Sequence, residues 1–153
     1  MARNADRVRA HTSPEVATRI DNEAVNRVRY YAPLNDAKIT RHIEELDREW
    51  DVERHLEMSA SSLALTGLVL SFVHNRKWLM LTGFVLPFLL QHAVQGWCPP
   101  LTLFRRLGIR TRKEIDEEKY AMKALRGDFD GVSTRYSTDE VHRAGRAINA
   151  VRT

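Results

Sequence analysis

The stretch that decides the fold consists of two apolar segments with a short charged turn between them. It reads LEMSASSLALTGLVLSFV over residues 56–73, HNRK over 74–77, WLMLTGFVLPFLLQHAVQ over 78–95 and GWCPP over 96–100. Neither apolar segment has the polar face that a soluble amphipathic helix needs. The pattern therefore predicts two membrane-spanning helices joined by the turn, and the remainder of the chain is arranged around this hairpin.

Length is the main constraint on this interpretation. The apolar segments Ser59–Val73 and Trp78–Leu90 contain 15 and 13 residues, whereas a helix needs about 20 residues to cross a hydrocarbon core about 30 Å thick. Extending the helices to Met58 and Gln95 reduces the shortfall, and local thinning of the bilayer can accommodate the rest. The alternative is a buried hairpin in a soluble core. The charged arms offer too little apolar surface to cover helices that are apolar on all sides.

The positions of the basic residues predict the topology. Arg76 and Lys77 lie in the turn, and each would cost about 2.5–3.5 kcal/mol at the bilayer centre, so the turn should emerge on the far side. Eight further cations lie near the other membrane boundary: Arg41, Arg48, Arg54, Arg105, Arg106, Arg110, Arg112 and Lys113. The positive-inside rule then places both termini in the cytoplasm. The first 50 residues contain no apolar segment, so no cleavable signal peptide is expected.

One face of the first helix carries only small residues. They recur at the spacing i, i+4, i+7 and i+11, at Ala60, Ala64, Gly67 and Ser71. Small residues let two helix backbones approach closely in a bilayer. We expect this face to pack on the second helix around Thr82–Gly83, and packing on a second subunit is the alternative.

Composition separates the hairpin from two charged arms. The mean hydropathy of −0.42 and the charged fraction of 29% average over very different segments. Residues 1–57 carry 10 basic and 12 acidic groups, whereas residues 96–153 carry 12 basic and 8 acidic groups. The basic C-terminal arm suits anionic lipid headgroups, and no groove-binding motif points to nucleic acid. The one cysteine excludes an internal disulfide, as is typical of a cytoplasmic-facing protein.

Both arms show helical patterns. Ser13 and Pro14 predict a helix start, and Asn35 or Asp36 should cap a helix that runs from Ala37 into the membrane. Two capping boxes, Thr111 with Glu114 and Ser137 with Glu140, predict further helices, the first ending near Leu125 and the second carrying Val141, Ile148 and Val151 on its better face. The predicted fold is all-α: a membrane hairpin over residues 56–100, a cytoplasmic arm over 1–55 and a basic arm over 101–153.

The N-terminal arm also contains an apolar face formed by Ile39, Ile43, Leu46 and Trp50. We list this face as partner-facing, because it could form a short coiled coil between subunits. It could instead lie on the membrane or on the other arm, and packing within the same chain is the default. The carboxylates on the opposite side of the same helix indicate a solvated surface with i,i+4 ion pairs rather than a metal site.

Cys98 is the residue with reactive potential, because it lies at the membrane interface just after a helix end. The negative end of a helix dipole disfavours a thiolate, so a buried interfacial thiol is the simpler interpretation. His92 lies nearby in the sequence, but two ligands do not make a metal site. The chain has no phosphate-binding loop, nucleophile elbow or zinc-protease motif. We therefore expect no catalytic residues and no cofactor.

The stretch from Trp78 to Thr111 resembles the second half of the YgaP-like two-helix inner-membrane domain family. In that bacterial family an apolar helix leads into Gly-x-Cys-Pro and then into a short apolar segment ending in Leu-Gly-Ile-x-Thr. The matching residues here are Gly96, Cys98, Pro99, Leu107, Gly108, Ile109 and Thr111. The resemblance covers about residues 56–111, but LDREWDVERHLE replaces the usual Asn-x-Gly lead-in before the first helix. It implies a hairpin in the inner membrane with both ends cytoplasmic, often as dimers.

Some members of this family are fused to a rhodanese sulfurtransferase domain, which this sequence lacks, so sulfur transfer is not implied. The function expected from the sequence is a non-catalytic membrane anchor whose arms mediate self-assembly or join a larger membrane complex. The alternative is an accessory to sulfur or thiol chemistry that acts through Cys98.

Overall fold

A computed structural model describes residues 7–130, 145 and 147–151, and within these ranges it is helical with no β-strand. The helices are α1 (Arg7–Ala10), α2 (Pro14–Tyr31), α3 (Asp36–Arg48), α4 (Val52–Val73), α5 (Leu79–Gln95), α6 (Pro99–Arg106) and α7 (Arg112–Arg126). A 3-10 turn, Arg76–Trp78, precedes α5, and residues 147–151 are also helical. The all-α prediction is confirmed. The predicted capping box of Ser137 and Glu140 and the position of Val141 lie outside the described residues.

Side-chain caps explain where several helices begin. The Asn35 side chain accepts a hydrogen bond of 3.1 Å from the backbone N–H of Lys38, so Asn35 caps α3. At the start of α7, Thr111 Oγ1 accepts from the backbone N–H of Glu114 at 3.3 Å. Glu114 Oε2 accepts from the backbone N–H of Thr111 at 2.9 Å. This reciprocal pair confirms the predicted capping box.

The expectation of one continuous helix from Ala37 into the hairpin is wrong. Helix α3 ends at Arg48, and α4 begins only at Val52. The backbone of Asp51 is extended, and its side chain accepts a hydrogen bond of 2.9 Å from the backbone N–H of Arg54. Aspartate is among the preferred N-cap residues, and here its cap starts a new helix. The 22 residues of α4 span about 33 Å, close to the thickness of a hydrocarbon core.

Helix α1 lies in a segment that the sequence analysis did not predict to be helical. Its Val8 is buried in an apolar cluster with Val52, Leu56, Cys98 and Leu101. Burial of an apolar side chain stabilises a short helix that would otherwise be marginal in water. This contact explains why four residues so near the N-terminus are ordered into a helix.

The hairpin itself is formed by α4, the 3-10 turn and α5. Helix α4 ends at Val73, and the Asn75 side chain caps the following turn by accepting a 2.9 Å hydrogen bond from the backbone N–H of Lys77. Two stretches are long and apolar enough to cross a membrane. They are Asp36–Val73, which contains α3 and α4, and Arg76–Gln95, which contains the 3-10 turn and α5. Helix α5 continues as one helix through Pro87.

The chain folds into two compact units. The first unit combines residues up to Asp21 with Trp50–Glu114, and the second combines Asn22–Glu49 with residues from Ile115 onward. The whole hairpin, residues 56–100, belongs to the first unit. The predicted three-part division at residues 1–55, 56–100 and 101–153 follows chain order, whereas each unit combines segments from both predicted arms.

Candidate functional site

Helices α4 and α5 make a close contact at Gly67. Thr82 Oγ1 of α5 donates a 2.8 Å hydrogen bond to the carbonyl oxygen of Ala64. A Cβ atom placed on Gly67 would lie 2.6 Å from Thr82 Oγ1 and 3.0 Å from the Trp78 carbonyl oxygen. The predicted packing residues share this side of α4: Gly67 and Ser71 are buried, and Ala60 and Ala64 are half-buried. Only the absence of a side chain at Gly67 permits this approach of the two helices.

Below this contact, toward the ends of the hairpin that join the arms, α4 and α5 leave a cavity of about 300 Å³. Its walls are almost entirely apolar. On the α4 side they include Leu56, Ala60 and Leu63, and on the α5 side Phe88 and Leu89. The remaining lining residues are Ser59, Leu81, Phe84, Val85, His92, Cys98, Pro99 and Pro100. Cavities of this size and apolarity are typical of sites for small apolar ligands.

Cys98 and His92 line the same cavity. Cys98 is also part of the apolar cluster around Val8 and is itself buried. Burial raises the pKa of the Cys98 thiol above its usual range. A raised pKa disfavours the reactive thiolate form. Within the described part of the chain, no group of three or more His, Cys, Asp or Glu residues is placed to hold a metal ion.

This burial gives a testable prediction for Cys98. We expect a thiol reagent such as N-ethylmaleimide to modify the folded protein in mild detergent at least tenfold more slowly than the unfolded protein at the same pH, because the reagent needs an accessible thiolate. The measurement is mass-spectrometric labelling at neutral pH with and without denaturant. Equal rates in the two conditions would show that Cys98 is accessible and would favour a thiol-based function.

A buried ion-pair network lies where the arms meet the hairpin in the first unit. Arg105 and Glu114 are 2% and 5% exposed, and they form a bidentate pair with N···O distances of 2.6 and 2.7 Å. Arg9 adds a second cation, with Nη1 2.8 Å from Glu114 Oε1, and also pairs with Asp21. Arg105 Nε donates to the hydroxyl of Thr12 at 3.0 Å. The network joins α1, α2, α6 and the start of α7.

The electrostatics of this network follow from its geometry. Burial alone would raise the pKa of Glu114, but hydrogen bonds from Arg105, from the Thr111 backbone and from Arg9 outweigh it, and the pKa lies below its usual value. The hydrogen bond from Arg9 likewise lowers the pKa of Asp21. Sequence reasoning identified Glu114 only as a capping residue and Arg105 only as a surface cation. The network links the segment that precedes the hairpin with the segment that follows it.

A second buried carboxylate lies in the second unit. The Glu118 side chain is fully buried and accepts hydrogen bonds from Arg27 Nε at 2.9 Å and Nη2 at 2.8 Å. The His42 ring nitrogen Nε2 lies 2.9 Å from Glu118 Oε1, the oxygen that also accepts from Arg27 Nε. Tyr31 stacks on the His42 ring at 4.2 Å between centroids. These groups are paired with one another, and the sequence analysis did not single them out.

The residues predicted to face a partner are placed differently. Ile39, Ile43 and Leu46 are buried in the core of the second unit with Ile115 and Met122, so they do not form an exposed partner surface. Instead, they pack on the other arm of the same chain, which was one of the expected possibilities. Ile115 and Met122 form an apolar face on α7 in the C-terminal arm. Packing this face against the apolar face of α3 removes both from water.

Trp50 does not continue this face. It follows the end of α3, belongs to the first unit and is 38% exposed. Its ring lies 4.3 Å from the Arg54 guanidinium carbon and 5.5 Å from the His55 ring. Because α3 ends at Arg48, Trp50 does not follow Leu46 on the same helical face.

No protein-family model, no curated protein and no solved structure matches the chain.

Proposed function

We propose that the protein is a non-catalytic integral membrane protein, with α4 and α5 forming a hairpin that anchors two helical arms at a membrane surface. The observation that carries the proposal is the exposure of large apolar side chains around the hairpin. Phe72, Met80, Leu90 and Val94 are 83%, 77%, 66% and 68% exposed. An apolar surface of this extent on both helices marks a membrane or protein interface.

The alternative of a buried hairpin in a soluble core is less well supported. In such a core the hairpin would be covered by the rest of the chain, but no residue of α5 before Gly96 is buried. Backbone hydrogen bonds in both helices are satisfied internally, as a bilayer requires. Trp78 and Trp97 flank α5 near its two ends, where aromatic rings favour the membrane–water interfaces.

The arms are proposed to mediate self-assembly or to join a larger membrane complex. Because Ile39, Ile43 and Leu46 are used inside the chain, a partner needs other side chains. In the second unit, Val25 and Tyr30 of α2 and Tyr120 and Leu125 of α7 are large and exposed. We assign the partner-facing role to these exposed positions rather than to the buried face of α3.

We also propose that the chain belongs to the YgaP-like family and that its membrane is the bacterial inner membrane. Local geometry at the matching residues supports it. Gly96 ends α5 with a left-handed φ of 75°, and Pro99 is the first residue of α6. Glycine after a helix and proline at the first helical position are the usual end and start signals. The Gly-x-Cys-Pro sequence thus forms a sharp connection between two helices.

The alternative function is an accessory role in thiol chemistry through Cys98. The burial of that thiol favours the anchor. Replacing Cys98 with serine separates the two proposals, because only the second predicts loss of function in cells that depend on the protein.

Membrane insertion and topology are tested together. We expect the protein expressed in bacteria to stay with membranes after extraction at high pH, since the hairpin is integral. On a Cys98→Ser background, an impermeant maleimide should label a cysteine introduced at Asn75 in intact cells but not one introduced at Asn22, because the cation distribution places the arms inside.

Recovery of the protein in the soluble fraction after alkaline extraction would overturn the anchor proposal. Labelling at position 22 in intact cells would overturn only the topology. Mass measurement in mild detergent tests assembly: a strict monomer that captures no partner would contradict the proposed role of the arms.

A further inference from the structure

The cavity between α4 and α5 lies in the part of the hairpin that joins the arms. We propose that it binds one acyl chain of an anionic phospholipid from the cytoplasmic leaflet. This inference rests on the proposed membrane hairpin. Leu63, Val85, Phe88 and Leu89 supply the apolar walls, and the two helices themselves form its sides. An acyl chain that enters this cavity exchanges contacts with other lipid tails for van der Waals contacts with the cavity walls.

A polar group at the arm end of the cavity suits the ester region of the lipid. His92 lines the cavity about one turn before the end of α5. Its ring atom Nδ1 is buried and has no hydrogen-bond partner among residues 7–130, 145 and 147–151. A buried polar atom without a partner is costly, and native structures normally supply one. Protein atoms cover Nδ1 in this structure, so the His92 ring must turn as the lipid enters; an ester carbonyl oxygen can then accept a hydrogen bond from the Nδ1–H tautomer.

A cation lies next to this end of the cavity. Arg7 is exposed, and its Nη1 donates to the carbonyl oxygens of Ala93 and Val94, the two residues after His92. The neighbouring residue, Val8, packs on Leu56 and Cys98, which line the cavity. An arginine at this position is complementary to a lipid phosphate. The order along the site is therefore apolar cavity, hydrogen-bonding group and cation, as in a phospholipid.

The test uses a photoreactive phospholipid. The full-length protein is reconstituted into vesicles of one part phosphatidylglycerol to three parts phosphatidylcholine, doped with phosphatidylglycerol that carries a diazirine in one acyl chain. After irradiation, peptide mapping locates the adducts. We expect adducts concentrated on cavity residues such as Leu63, Val85 and Phe88, with few on Phe72 and Met80, which face outward. Adducts spread evenly around both helices would overturn the proposal, as ordinary surrounding lipid gives that result.

Matched variants test the cavity and the cation separately. Leu89→Trp fills the cavity and should reduce cavity adducts about tenfold, as expected for roughly two methylene groups of lost contact. Leu90→Trp, on the exposed side of α5, should leave them unchanged. Arg7→Gln should reduce the preference for phosphatidylglycerol over phosphatidylcholine about fivefold, whereas Arg76→Gln in the turn should not.

Further outcomes would also contradict the lipid-binding proposal. If Leu89→Trp and Leu90→Trp give equal adducts while both proteins melt like the unaltered chain, the cavity is not the site. Adducts competed away by free fatty acid but not by phosphatidylglycerol would assign the cavity to another ligand. Cross-links between two copies at cavity residues would assign it to an intersubunit contact. Loss of the protein from membranes in alkaline extraction would instead refute the hairpin itself, so the two failures are distinguishable.

Discussion

Replacing Glu114 with glutamine should lower the free energy of unfolding by about 3–5 kcal/mol, the cost of removing one partner from a buried ion pair. The reason is Arg105, which stays buried and charged while losing a bidentate acceptor at 2.6 and 2.7 Å. Arg9 loses its 2.8 Å contact with the same carboxylate. Glutamine keeps the size of the side chain and can retain part of the cap at Thr111, so the change isolates the charge. The measurement is the melting temperature of the protein in mild detergent.

A matched control is available on the surface of α3. Glu44 and Arg48 form an i,i+4 pair at 3.9 Å, with the two side chains 60% and 80% exposed. Such pairs contribute about 0–1 kcal/mol, so Glu44→Gln should barely move the melting temperature. If Glu114→Gln lowers the melting temperature no more than Glu44→Gln does, the buried ion-pair network does not stabilise the fold. A double variant, Arg105→Met with Glu114→Leu, should recover much of the loss because it removes both buried charges.

The same carboxylate predicts a pH dependence. The pKa of Glu114 is lower in the folded protein than its ordinary value of 4.5, so the folded state holds the carboxylate ionised while the unfolded chain takes up a proton. The stabilisation is complete above the ordinary value and is lost as the pH falls through the lowered pKa. Asp21 changes in the same direction. Between about pH 5 and pH 3 the unaltered protein should lose more stability than Glu114→Gln does.

Much of the fold could be predicted from the sequence because the signals are local. The apolar segments, the Thr111 capping box and the proline at the start of α2 each specify a helix or its end within a few residues. The break between α3 and α4 also had a local signal. Asp51 is a preferred cap residue, but the continuing apolar register to Trp50 favoured an unbroken helix.

The parts that could not be predicted depend on contacts between distant segments. Arg105 lies in a basic, apolar stretch that resembles an interfacial segment, and only its proximity to Glu114 and Thr12 makes it a buried residue. The face of α3 was correctly identified as apolar, but periodicity does not show whether a second chain or the same chain covers it. The cavity beside His92 arises from the geometry of two packed helices, which no spacing in the sequence records.

The second large effect is expected at the close contact of α4 and α5. Gly67→Ile should lower the free energy of unfolding by about 1–3 kcal/mol, the usual cost of overpacking a well-packed site. Even the first added carbon would lie 2.6 Å from Thr82 Oγ1, 3.0 Å from the Trp78 carbonyl oxygen and 3.1 Å from the Thr82 backbone nitrogen. Two of these atoms belong to the backbone, so a change of side-chain rotamer cannot relieve the clash. The helices must separate, and the hydrogen bond from Thr82 to Ala64 would then be lost.

The control is the next residue along α4. Leu68 is 40% exposed and lies about 100° around the helix from Gly67, so Leu68→Ile changes shape without entering the contact. We expect its melting temperature in mild detergent to match that of the unaltered protein within the small range that shape changes at exposed sites produce. A Gly67→Ile protein that melts at the same temperature as Leu68→Ile would mean that the two helices lie side by side without close backbone packing. Thr82→Val gives an independent reading of the same contact, since it removes the hydrogen bond to Ala64 while keeping the side-chain volume, and it should be milder than Gly67→Ile because no backbone atom has to move.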